Sequence, residues 1–146
     1  MERALKGADP RIGDNYTRVY LRFALSQLRL AQSQLDAALA AAEHAAELTD
    51  PKTMGVEHGV VPRVLGQALE AMGRRDEAEI EFRRSLDRLG KIQSKPELGQ
   101  TLLAYGRFKD EDDKDQGRQL LTKALEIFDD INAPGWIAET RVALDT

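Results

Sequence analysis

The chain has 146 residues, 42% hydrophobic and 32% charged, with a formal charge of −4. That is enough for one domain with a continuous core, and too acidic for general nucleic-acid binding, which needs a concentrated basic surface. Cysteine is absent, so disulfides and thiolate metal sites are excluded.

Aromatic residues make up only 5%, while alanine and leucine dominate the apolar set, which favours closely packed helices over a sheet sandwich. In chain order, 1–14 reads as an N-terminal extension or the end of a preceding helix, without the apolar stretch of a secretory signal. A first helix is expected over 15–31, capped by Asp14, with Val19, Phe23, Leu25 and Leu28 at helical spacing. An almost solid run of alanine and leucine follows over 33–48, stopped by Asp50-Pro51. The next helix is expected from Val60 to Met72, because Pro62 is tolerable only in a first turn, and Gly73 ends it. Its partner runs from Asp76 to Leu89. Helices over 96–109 and 116–129 form a third pair, and Ala133-Pro134-Gly135 precedes a last short helix over 136–144. No strand is expected, and no apolar run approaches the roughly 20 residues that cross a bilayer.

Self-comparison gives a period of forty. Leu25-Ser26, Leu65-Gly66 and Tyr105-Gly106 mark one register, and Ala38, Ala78 and Gly117 mark a second, the third copy being one residue shorter. A glycine inside a helix costs roughly 1 kcal/mol relative to alanine. Gly66 and Gly106 therefore need a packing reason, and close approach to Ala78 and Gly117 on the second helices would supply it.

At these residues the chain resembles the tetratricopeptide family, whose pattern is a helical Leu-Gly followed by Ala-x-x-x-Phe-x-x-Ala. Leu65-Gly66, Leu69, Ala78, Phe82 and Ser85 carry it best, while the family's first-helix Trp is replaced by Arg22, Pro62 and Leu102. The longer period is similar to that of repeat arrays in large bacterial signalling proteins. The resemblance implies an all-α, right-handed superhelix, a solenoid of about three hairpins over 15–50, 56–91 and 96–130 with a capping helix over 136–144, together one domain over 15–144. It also implies that Phe23, Gln27, Arg63 and Gln67 stand where chaperone-tail-binding relatives hold a carboxylate clamp, so that the clamp is absent.

Chemistry is sparse. His44 and His58 have no second ligand at metal spacing, and His58 falls in an expected linker. In the acidic stretch 110–115 a calcium loop starting at Asp112 would have Gly117 sixth but Lys114 third and Lys123 twelfth, against the required pattern. No phosphate-cradling Gly-Lys-Ser/Thr and no nucleophile elbow appears. The expectation is a cytoplasmic protein that is not an enzyme and needs no cofactor or metal.

Stacked hairpins curve with their first helices on the concave side. Helical spacing then directs Tyr20, Phe23, Gln27 and Leu30 of the first unit, Val60, Arg63, Gln67 and Glu70 of the second, and Gln100, Leu103, Arg107 and Asp110 of the third into one groove. Gln27, Gln67 and Arg107 share a register and would form a polar ladder for an extended peptide. Glu70 and Asp110 would compete by neutralising the arginines internally, and Phe23 and Leu103 are equally readable as buried core. The leading function is a protein- or peptide-binding scaffold within a larger regulator. A small-effector sensor and a homodimer built on exposed leucines or Trp136 are the alternatives.

Overall fold

The computed structural model describes residues 10–146, with side chains from residue 15 onward. Within them the chain forms seven helices and no strand: α1 Pro10–Ala31, α2 Leu35–Leu48, α3 Gly55–Ala71, α4 Arg75–Lys91, α5 Lys95–Asp110, α6 Lys114–Asp130 and α7 Pro134–Asp145. Residues 1–9, and with them most of the expected extension, lie outside the described residues. The pairs α1–α2, α3–α4 and α5–α6 pack as sequential hairpins, and each second helix also packs on the next first helix. First helices α1, α3, α5 and α7 touch their successors, whereas among the described residues the second helices α2, α4 and α6 do not touch one another.

The turns show how the chain enforces this. Four of them centre on a residue in the left-handed region: Ser33, Gly73, Gln93 and Asn132, with φ between 55° and 76°. Each is followed by the same reach-back bond, Gln34 N to Arg29 O, Arg74 N to Leu69 O, Ser94 N to Leu89 O and Ala133 N to Phe128 O, all 2.8–3.1 Å. This is the Schellman ending, which satisfies carbonyls left over at a helix C-terminus. The fifth tight turn differs: Asp113 caps α6 by accepting from Gln116 N at 3.1 Å. The acidic stretch is thus a helix start.

Alanine makes α2 thin. Its buried residues Ala38, Ala41, Ala42 and Ala45 let Val19 and Phe23 of α1 meet Val60, Val61 and Val64 of α3 in one cluster. A second cluster joins Leu69, Phe82, Tyr105, Phe108, Leu121 and Phe128. The period of forty is visible in contacts between hairpins. Tyr16 to Thr53, Tyr20 to Glu57, Arg63 to Gln100 and Arg75 to Asp112 are hydrogen bonds that each span 37 residues.

Three expectations need correction. α1 begins already at Pro10, so Asp14 is inside the helix rather than its cap. The nearest neighbours of Gly66 and Gly106 are the Phe82 ring and Leu121 rather than the small Ala78 and Gly117, although the equivalent Ser26 does reach Ala38, its Oγ donating to Ala38 O at 2.9 Å. The third concerns α3, which starts at Gly55 and carries Pro62 in its interior, with His58 in the helix rather than a linker. An interior proline has no N–H for the carbonyl four residues back, which here is His58 O. Arg88 of α4 takes that carbonyl, its Nη1 donating at 3.0 Å, so the helix continues because a side chain replaces the missing donor. Arg88→Ala should therefore cost roughly 1–2 kcal/mol through an unsatisfied carbonyl. In a Pro62→Ala background, where residue 62 regains an N–H, the cost should shrink by about 1 kcal/mol in a urea-unfolding double-mutant cycle. Equal costs in both backgrounds would mean that the bond to His58 O contributes nothing.

Candidate functional site

Four helices line one cavity. Tyr20, Phe23, Ala24 and Gln27 of α1, Val60, Arg63, Val64 and Gln67 of α3, Glu97 and Gln100 of α5, and Trp136 of α7 enclose about 320 Å³. An adjoining cavity of about 250 Å³ shares Gln27, Arg63, Gln67, Gln100 and Trp136, and adds Leu103, Ala104, Arg107 and Glu139. The two form one groove along the first helices. Its floor is apolar, with Phe23 at 9%, Val60 at 6% and Leu103 at 2% exposure, while the rings of Tyr20 (52%) and Trp136 (37%) stand open at its edges.

The polar walls are already organised. Gln27 Nε2 donates to Gln67 Oε1 at 2.9 Å across the first two hairpins, which leaves the remaining amide groups of both residues for a further partner. Arg63 is the most engaged side chain. Its Nη2 donates to Glu97 Oε2 at 2.8 Å, and its Nη1 to both Glu97 O and Thr101 Oγ1 at 3.1 Å. Ser85 Oγ lies 2.9 Å from Thr101 Oγ1 and donates to Gly59 O at 2.7 Å. Ser85 has one hydroxyl proton and gives it to that carbonyl, so Thr101 must donate to Ser85. The protons of this buried chain are thereby all assigned, from Arg63 through Thr101 and Ser85 to Gly59. Arg107 is looser, 3.5 Å from Glu139 and 46% exposed.

At the α1 edge the Tyr20 hydroxyl donates to the buried Glu57. Burial of that end, then the bond to Glu57 and its charge, push the hydroxyl up to about 12. The ring meets Phe23 edge-on at 5.6 Å. Trp136 stacks on Phe128 at 5.6 Å and 14°, which fixes one ring face and leaves the other toward the groove.

The groove thus brings together nine of the twelve residues expected from sequence: Tyr20, Phe23, Gln27, Val60, Arg63, Gln67, Gln100, Leu103 and Arg107, whereas Leu30 and Asp110 do not line it. Phe23 and Leu103 are at once core and floor. Glu70 lies outside it, one helical turn past Gln67, beside Arg75 and Glu111. The arginines are neutralised, but by Glu97 and Glu139 rather than by Glu70 and Asp110, because the next first helix lies nearer than the next turn of the same helix. Trp136, Glu97 and Glu139, with Ala24, Val64 and Ala104, complete the lining. A signal for Trp136 was present, since it falls 39 residues after Glu97, the shortened repeat step that also relates Thr101 to Thr140.

Glu70 has a consequence of its own. Burial first, and the charge of Glu111 second, raise its carboxyl to about 7 against the pull of Arg75. A carboxyl with a raised folded-state pKa contributes its full stability below its unfolded value and loses it as pH rises through the folded value. A shift of this size would be worth about 3 kcal/mol in a sealed site, and about 1 kcal/mol where water reaches the group. Glu70→Gln should therefore gain about 1 kcal/mol over the parent between roughly pH 5 and pH 8 in melting experiments. A difference independent of pH would place the titration elsewhere.

Compared with known proteins, the chain matches no family model, no curated protein and no solved structure. Its class rests on architecture: an all-helical protein whose helices pack as sequential hairpins. Among the described residues no helix is long and apolar enough to cross a membrane, and no three His, Asp or Glu side chains converge as metal ligands.

Proposed function

We propose that this protein is a tetratricopeptide-like interaction module, a right-handed superhelix that binds an extended segment of a protein partner along its first helices. In this reading it is a cytoplasmic module of a larger bacterial regulatory protein and performs no catalysis. The observation that carries the reading is that side chains from α1, α3, α5 and α7 line a single groove. Helices in a flat row would not reach a common cavity, whereas a curved stack with first helices inside would. The chemistry of the lining favours a peptide over a small effector. An effector site is a mostly apolar enclosure; this groove has an apolar floor, three glutamines, and two arginines matched by two glutamates. Amides both donate and accept, which suits a peptide backbone. Tyr20 and Trp136 offer the flat, rigid surfaces that dominate binding energy at interfaces.

The test is selection of binding peptides from a displayed random library on the immobilised protein. The selected peptides are then titrated against Trp136→Ala combined with Arg107→Ala. Both side chains are half-open, and Arg107 has only a loose surface partner, so the fold should survive. Affinity should fall at least about tenfold in a variant that circular dichroism shows to be folded, although loss of the Trp136–Phe128 stack lowers its melting temperature. Peptides whose affinity instead falls on changing Glu77 or Glu81, on the second helices, would move the site off the groove.

A further inference from the structure

The two ends of the helix stack differ in chemistry. On α5, Thr101, Phe108 and Lys109 face the preceding second helix α4. Thr101 meets Ser85 at 2.9 Å, the Phe108 ring lies 5.2 Å from Phe82, and Lys109 Nζ is 3.2 Å from both carboxylate oxygens of Glu79. At the same register on α3, Val61 and Ala68 are 4% and 0% exposed, and Val61 clusters with Ala42 and Ala45 of the preceding α2. The corresponding residues of α1 are Leu21 and Leu28, 61% and 51% exposed. Positions covered twice by a second helix are therefore apolar and open on the first hairpin. At the other end of the stack, the outward positions of α7 equivalent to Leu102 and Gly106 are the exposed, charged Arg141 and Asp145.

We propose that the face of α1 formed by Leu21, Leu28 and Arg29 seats an amphipathic helix of a protein partner that carries an acid opposite Arg29, placed as the second helix of a preceding hairpin would be. Its apolar seam covers the two leucines, and one Asp or Glu pairs with Arg29. The charge is that of the α5 step: Arg29 stands where α5 has Lys109, whose partner is Glu79 of the covering helix, while the middle hairpin has the buried Leu69 there. Among the described residues Arg29 reaches only the neutral amide of Gln32, at 2.8 Å. A second copy of α1 is a poor occupant, because residues 10–31 contain four arginines and a single acid, Asp14, and like charges would meet across the pair. This surface is separate from the groove, and neither depends on the other.

A labelled peptide of residues 75–91 is the probe, since it contains the Glu79 that covers Lys109. Titrated with the full chain and followed by fluorescence anisotropy, it should bind saturably. Leu28→Glu should abolish binding. Arg29→Glu should weaken it about tenfold, and a Glu79→Lys peptide should restore the affinity of that variant. Trp136→Ala, which alters the groove, should leave binding unchanged. Circular dichroism establishes that each variant is folded. No saturable binding, binding that survives Leu28→Glu, or a charge swap that fails to restore affinity overturns the proposal. So does a dimer of the parent protein, detected by light scattering, that Leu28→Glu dissociates, because the occupant is then a second copy.

Discussion

Replacing Gly117 with alanine should destabilise the protein by about 2–3 kcal/mol, although alanine is the better helix former. A Cβ at Gly117 would lie 2.6 Å from the Cα and 2.7 Å from the backbone N of Asp110. Backbone at the end of α5 cannot move aside as a side chain can, so α5 and α6 must separate, and Leu121 and Phe128, both buried, would lose their fit. Other helical glycines grade the effect. At Gly59 the nearest atom is the end of the Leu89 side chain, and at Gly66 it is the Phe82 ring at 3.1 Å, contacts that yield more easily. Gly90 is the control, because a Cβ there meets nothing within 4 Å, and Gly90→Ala should raise stability by up to about 1 kcal/mol through helix propensity alone. Urea unfolding of the two alanine variants should move in opposite directions. Equal shifts would show that α5 and α6 are not in backbone contact at Gly117.

Arg63→Ala should cost roughly 2–3 kcal/mol of stability, since its bonds are charge-assisted and its side chain is 11% exposed. Removing it leaves Glu97 without its cation and Thr101 without its donor, in a region where burial makes an unpaired polar group costly. Arg107→Ala should cost well under about 1 kcal/mol, as expected of an exposed pair at 3.5 Å. The two arginines share a groove but not a role. Arg63 joins the second hairpin to the third, and Arg107 is the cation free to turn toward a ligand. Urea midpoints that fall equally for both variants would contradict this division.

Much of the architecture was legible because small residues recur every forty positions and because Pro and Gly punctuate the chain. The all-helical, hairpin arrangement follows from those signals. Pro62 shows where they stop: the proline rule correctly identifies a missing donor, but Arg88 supplies one from another helix, a long-range contact that no local pattern carries. Gly59 and Gly99 were a missed repeat. They sit forty residues apart, and each packs under a buried side chain, Leu89 and Phe128. Nine of the groove residues could be placed because helical phase is a local property. The ion pairs could not, since Glu70 and Asp110 lie close in sequence while Glu97 and Glu139 are brought in by hairpin stacking. Trp136 belonged to the same repeat register as Glu97 but was read as part of a terminal cap or as a dimer face rather than as groove lining.

The groove is tested most directly by the side-chain amide resonances of the glutamines in a ¹H–¹⁵N NMR titration with a selected peptide. Gln27, Gln67 and Gln100 line the groove, whereas Gln34, Gln116 and Gln119 lie outside it. The expected result is that the first three amide pairs and the Trp136 indole N–H shift together and saturably, while the other three stay in place. Shifts confined to Gln34, Gln116 or Gln119, with the groove amides and the indole unmoved, would contradict binding along the first helices.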